Sequence, residues 1–288
     1  MSSDSSATVP LNPTTLKKAN IRFNSVVWSK LPDGTQYGRA NMQYSNPDLG
    51  GKLQELIVKG GPMATYGVSD NKDGKTQEVT GHSVCLIAAK GGSAIENAVA
   101  IIHEAACEFL VAHRDECGQS AVVNIEIAKA FLKNPLAHPQ KTVDNKKTTD
   151  TTKPKRIYAK LVEYKATENR AAKMVTIMDD ATSYDPATGQ MTRQIDPLAV
   201  RSNVEMLPSL HFDSIYFGSK PSMQVKLPRA AITRELGGNT VAAVNEDVAD
   251  YMAKMGLSIG SSAPENDAAV GSPSVVGGTA TQDPAAML

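Results

Sequence analysis

The sequence predicts a mainly β (α+β) protein, a small barrel of strands that carries helical decoration. Three observations lead there. Short segments rich in β-branched and aromatic residues recur along most of the chain, with turn signals between them. One long segment keeps helical spacing of its apolar residues. Stretches at both ends and in the middle are polar or low in complexity and carry no core pattern.

In chain order, residues 1–15 read as disordered, 16–258 as a single domain and 259–288 as a disordered tail. NIRFNSVVWSK (20–30) is a strand, and TQYGRANMQY (35–44) follows it across the turn Pro32-Asp33-Gly34. LQELIVKGGPMATYGVS (53–69) is extended but broken by a bend or bulge at Gly60-Gly61-Pro62. The polar turn DNKDGK (70–75) separates it from HSVCLIAAK (82–90). Ser93 and Glu96 make a capping box. Ile95, Val99, Ile102, Ala106, Phe109 and Leu110 then keep helical spacing to Arg114. A shorter helix is expected over 125–133.

Residues 134–154, NPLAHPQKTVDNKKTTDTTKP, read as a flexible Pro- and Thr-rich loop inside the domain. Strands resume with RIYAKLVEYK (156–165), KMVTIMDD (173–180), FDSIYFG (212–218) and SMQVKLP (222–228), the last two joined by the turn GSKPS. NEDVADYMAKMGL (245–257) is a helix opened by Asn245, with acids in its first turn where the helix dipole favours them.

The bulk properties narrow the partners. The 288 residues carry equal numbers of acidic and basic side chains, 30 of each. Their distribution is uneven: 141–173 holds ten Lys or Arg against four acids, and 235–288 holds seven acids and one Lys. Local field rather than net charge decides electrostatic partners. No apolar run reaches the ~18 residues of a membrane span. The opening MSSDSSATVPLNP lacks the basic-then-apolar order of a signal peptide. Cys85, Cys107 and Cys117 suit free thiols in a reducing compartment, so an intracellular, membrane-free location is expected.

Catalytic signatures fail on inspection. SDNKDGKT ends like a phosphate-binding loop, but Ser69 stands where that motif needs Gly, and a strand follows Thr76. As a calcium loop it lacks the charged first ligand and the bidentate carboxylate, since Ser69 and Thr80 hold those places. His103/Cys107 and His113/Cys117 are pairs four residues apart with zinc-ligand chemistry. Along a helix the two pairs lie ~15 Å apart and ~80° out of phase, too far for one ion. Asp179 and Asp180 are strand neighbours and point to opposite faces. The chain is read as a non-enzyme with no cofactor and no metal.

Splitting the strands into faces gives a positive signal. In 155–164, Ile157, Ala159 and Leu161 face one way, and Arg156, Tyr158, Lys160 and Tyr164 the other, with Lys155 at the edge. Arg22, Trp28 and Lys30 share a side of 20–30, and Tyr37 and Arg39 share a side of 35–44. In the last hairpin Lys226 opposes the apolar side, Lys220 and Arg229 flank it, and Tyr216 precedes it. Cations beside exposed rings suit single-stranded nucleic acid: the cations follow phosphates, and each stacked base contributes ~1–3 kcal/mol. Duplex-reading motifs are absent.

The order of features resembles the poxvirus-type single-stranded DNA-binding proteins of large DNA viruses. MATYGVSDNKDGK…HSVCLIAAKGGSAIENAVAIIHEA is similar to their strand, polar turn, strand and long helix. IYAKLVEYKA and SIYFGSKPSMQVKLPRAAITREL resemble their later strands and closing basic hairpin, and NEDVADYMAKMGL the helix before their tail. The resemblance spans residues 53–257. It implies an OB-like β-barrel that coats and protects single-stranded DNA during viral DNA replication, self-associates, and works at a viral replication site in the host cytoplasm or in the nucleus. Replication proteins would be met through the C-terminal tail. That tail departs from the family's strongly acidic end, with only Glu265, Asp267 and Asp283.

The expectation is thus sequence-tolerant binding of single-stranded DNA, or of RNA by the same chemistry. Trp28, Tyr37, Tyr158, Tyr164 and Tyr216 would stack on bases. Arg22, Lys30, Arg39, Lys155, Arg156, Lys160, Lys220, Lys226 and Arg229 would meet phosphates. The alternatives are a self-assembling capsid or nucleocapsid subunit and a module whose Tyr-rich faces bind protein.

Overall fold

The structure is a computed structural model. It describes residues 9–31, 34–74, 76–88, 94–143, 146–166, 171–201, 203–218 and 220–236. The Pro32-Asp33 turn, the Ser93 cap, the helix expected over 245–257 and the tail lie outside the described residues.

The chain is mainly β with two α-helices among the described residues. β1 (Ile21–Phe23), β2 (Val27–Lys30), β3 (Gln36–Asn46) and β4 (Lys52–Glu55) open it, the long β3 pairing antiparallel with each of the other three. β5 (Ile57–Lys59), β6 (Met63–Lys72) and β7 (Val79–Ile87) follow, the break at 60–62 falling where the Gly-Gly-Pro run lies. The helix α1 (Ala94–Ala112) buries Ile95, Val99, Ile102, Ala106 and Leu110 along one stripe. The helix α2 (Ile125–Phe131) starts where Asn124 Oδ1 accepts from the Ile127 N–H at 2.9 Å.

β8 (Gln140–Val143) and β9 (Lys146–Thr149) pair as a hairpin, so the segment read as a loop contains paired strands. Thr- and Val-containing runs can satisfy each other's backbone without a core. β10 (Arg156–Leu161), β11 (Glu163–Tyr164), β12 (Lys173–Met174) and β13 (Ile177–Asp180) come next. β14 (Tyr184–Asp185), β15 (Gln190–Met191) and β16 (Gln194–Ile195) are short, and β17 (Val204–Phe217) and β18 (Ser222–Glu235) form the long closing hairpin.

Several bounds differ from those read off the sequence. Residues 24–26 interrupt the expected strand 20–30, giving β1 and β2. The last two strands run far beyond their expected ends, past Pro208 and Pro228. Proline argues against a central strand by propensity. Here register irregularities between Glu205 and Met206 and between Ser209 and His211 absorb it, and Gly60 N–H donates to the Pro208 carbonyl at 2.7 Å. Residues 9–15 were expected to be disordered, yet Leu11 N–H donates to Ile57 O at 2.7 Å and Lys59 N–H to Leu11 O at 2.9 Å.

Five strands pair in an unbroken path. β6 pairs antiparallel with β7, and β7 antiparallel with β10. β10 pairs parallel with β18 at Lys160↔Lys226 and Leu161↔Leu227, and β18 pairs antiparallel with β17. β17 returns to β6 at Val204↔Thr65, Glu205↔Ala64 and Met206↔Met63. Val84 and Leu86 of β7, Ile157 and Ala159 of β10, Phe212 and Ile215 of β17 and Leu227 of β18 are buried in one core with α1. Each fully buried Ile, Leu or Phe contributes about 1.5–3 kcal/mol.

Candidate functional site

β10 presents two chemically distinct faces. Ile157, Ala159 and Leu161 are buried, while Tyr158 is 63% exposed and Lys160 is exposed. The register carries this alternation to the neighbours, because directly opposed residues share a face. Tyr158 opposes Cys85, Lys160 opposes Ser83, and on the other side Lys160 opposes Lys226. Its interaction with the Cys85 side chain holds the Tyr158 pKa above its ordinary value.

The same outer face extends over β6. Alternation along β6 buries Met63 and Thr65 and turns Tyr66 outward, 60% exposed, and the register irregularity before Val68 follows it. Gly67, at φ +101°, permits it, since a Cβ there would lie 2.6 Å from Val200 O. The Arg156 guanidinium sits 6.0 Å from the Tyr66 ring centroid, a cation–π contact. Sequence reading missed Tyr66; its signal is the alternation of 63–66, which sets Tyr66 on the side opposite Met63 and Thr65.

Across β18 the face continues onto β17 and β3. Lys160 Nζ donates to Gln224 Oε1 at 3.0 Å. Lys226 Nζ donates to Asp213 Oδ1 at 2.8 Å, and Arg39 pairs with the other oxygen of that carboxylate. The trio keeps one net positive charge. Burial pushes the Asp213 pKa up, but the bonds from Lys226 and Ser214 and the Lys226 and Arg39 charges outweigh it and hold the carboxyl below the usual range. Burial pushes His211 below its usual value, and the Lys226 and Arg39 charges add to that against Glu55 and Asp213. Tyr37 and Tyr216 stack with centroids 5.4 Å apart. Asp213 is a second residue that sequence reading missed; no local signal marks it, because its partners come from β3 and β18.

Other expected site residues are placed elsewhere. Arg22 opposes Gln43 on the Tyr37/Arg39 side of β3, with Nη1 donating to Ile21 O at 3.0 Å. Trp28 opposes Gly38, so it lies on the side of β3 away from Tyr37 and Arg39, and Lys30 shares its parity opposite Gln36. The break at 24–26 separates them from Arg22. Trp28 covers Gly38, where a Cβ would meet its ring at 3.1 Å, and its Nε1 donates to Glu116 O at 3.0 Å. The expected Arg22/Trp28/Lys30 face is thus corrected. Lys155 is ion-paired to Glu96 at 2.6 Å and Arg229 to the buried Asp179 at 2.6 Å. Tyr164 is exposed on β11 opposite Lys173, and Lys220 is exposed in the last turn.

A cleft of about 440 Å³ opens on this face beside Tyr158, Lys160 and Gln224. It forms where β10 and β18, paired at Lys160 and Leu161, part company towards Tyr158 and Gln224.

Among the described residues no group of three or more His, Cys, Asp or Glu is placed to hold a metal ion. No described helix is long and apolar enough to cross a membrane. No protein-family model, curated protein or solved structure matches the chain.

Proposed function

We propose that the chain is a sequence-tolerant single-stranded DNA-binding protein built on an OB-like barrel, coating the strand through ring stacking and phosphate contacts. The carrying observation is the outer face itself. Tyr66, Arg156, Tyr158, Lys160 and Lys226 come from strands far apart in sequence and fall on adjoining, outward positions.

The order of the pairing path supports the barrel. Along the chain its members are β6, β7, β10, β17 and β18, and the third pairs parallel with the fifth while the fourth pairs with the first. Oligonucleotides lie on the second and third strands of an OB-fold, flanked by the loop between strands one and two and the loop between strands four and five. Those places correspond to β7 and β10, to the turn after Lys72, and to the turn carrying Lys220. The helices α1 and α2 fall between the second and third strands, as an insertion.

The site chemistry fits a strand without fixed sequence. Its rings are sequence-tolerant stacking platforms, and its cations meet a backbone common to all bases. The test is a fluorescence-anisotropy titration of labelled oligo-dT, duplex DNA and RNA over a salt series. Oligo-dT held more tightly than duplex, with affinity falling steeply with salt, is the expected result. Absence of oligo-dT binding at low salt overturns the proposal. Large assemblies formed without nucleic acid would favour the capsid-type alternative.

A further inference from the structure

The cleft beside Tyr158 carries more than the stacking face requires. Its lining includes the apolar Leu161, Met223 and Val225, all nearly fully buried, and the exposed Tyr158. The Glu163 carboxylate, also in the lining, reaches over Gly81, where a Cβ would come within 2.6 Å of Oε1. The carboxylate is fixed there by His82: the backbone N–H donates to Oε1 at 3.1 Å, and the ring Nδ1 lies 2.9 Å from Oε2. Ser83 Oγ donates to Asn71 Oδ1 at 2.8 Å, which aims that amide and leaves its Nδ2 without a partner among the described residues. Lys160, exposed and in the lining, supplies a second donor.

An acceptor-only carboxylate beside amide and ammonium donors is a reader of a base edge, and a volume of this order is that of a small-ligand site. We propose that the cleft takes one unstacked nucleobase that presents an amino group, guanine foremost, and disfavours thymine. This rests on the single-stranded DNA reading above and adds a preference to it.

The chemistry sets the order of bases. Guanine offers N1–H and the N2 amino group side by side, which the second lone pairs of the two Glu163 oxygens can accept while the first stay on His82, and its O6 accepts from Asn71 or Lys160. Cytosine and adenine offer a single amino group. Thymine offers one ring N–H flanked by two carbonyl oxygens, and these face the carboxylate unfavourably. Tyr158 and the apolar lining residues offer every base the same kind of contact, so the polar groups alone discriminate. The sequence-tolerant face and a base-selective cleft coexist, because a coating protein samples many registers and dwells where the cleft is filled.

The test compares oligo-dT with the same oligonucleotide carrying one central dG, titrated against the full chain. One well-placed bidentate contact discriminates by about tenfold in affinity, and that gain is expected for the dG strand. Replacing the dG by deoxyinosine, which lacks the N2 amino group, is expected to remove most of the gain. Glu163→Gln is expected to abolish the difference between the dT and dG strands. Equal affinity of the wild-type chain for the dT and dG strands, with oligo-dT bound, overturns this inference and leaves the broader reading standing. A gain that survives deoxyinosine also overturns it. No binding of either strand overturns both.

Discussion

Lys226 of β18 donates to Asp213 of β17 at 2.8 Å, across the closing hairpin. Arg39 of β3 holds the second carboxylate oxygen, so one largely buried acid fixes cations from two other strands on the outer face. A carboxylate placed in this way fixes its cations in space without cancelling their combined charge.

The Asp213 pairing makes stability depend on acid. Its folded pKa is depressed, so its contribution is complete above the unfolded carboxylate value near pH ~4 and is lost as pH falls through the folded value. Asp213→Asn is expected to lower stability at neutral pH by about 1–3 kcal/mol. It is also expected to flatten the acid limb of Tm against pH. Superimposable acid limbs for the two proteins would rule this out.

Tyr158 and Trp28 are both exposed aromatics, 63% and 46%, yet they should behave oppositely. Tyr158→Ala is expected to leave thermal stability within ~0.5 kcal/mol and to weaken oligo-dT binding about tenfold. Trp28 covers Gly38 and is bonded to Glu116, on the other side of β3. Trp28→Phe is therefore expected to lower Tm and to leave oligo-dT affinity unchanged. Strong quenching of Trp28 fluorescence by oligo-dT would contradict its placement.

Salt dependence should sort the cations. Lys160 is bonded to a neutral amide, whereas Arg229 is paired with a buried carboxylate. Lys160→Gln is expected to reduce the slope of log K against log salt by about 0.7, the value for one phosphate contact on a single strand. Arg229→Gln is expected to change that slope less and to lower Tm, because Asp179 is left buried and unpaired. The reverse pattern would reassign the two residues.

The thiols offer an independent check on the outer face. Burial pushes Cys107 to about 11 and Cys117 to about 12, so neither is a thiolate at neutral or mildly basic pH. Cys85 is half-buried beside Tyr158. Iodoacetamide at mildly basic pH is expected to label Cys85 alone in the folded protein, and all three in denaturant, read by mass spectrometry. Saturating oligo-dT should slow the Cys85 reaction; an unchanged rate would place the strand elsewhere.

By itself the sequence determined what period-two alternation and helical spacing can encode. Ile157, Ala159 and Leu161 are buried and Tyr158 and Lys160 exposed, as their order along β10 requires. The stripe of α1 and the Asn-capped start of α2 follow from local pattern in the same way. These are properties of neighbours in the chain, set by backbone geometry alone.

Only the tertiary structure decided the rest. The break at 24–26 shifts parity, and that shift, not the alternation of 20–30, puts Trp28 on the side away from Arg39. Pairing with β18 carries β17 through Pro208, against its propensity. Asp213 gathers Arg39 and Lys226, and Glu163 crosses Gly81 to reach His82, through contacts between residues distant in sequence. Such contacts leave no periodic trace, because the strand register that creates them is fixed by the folded sheet.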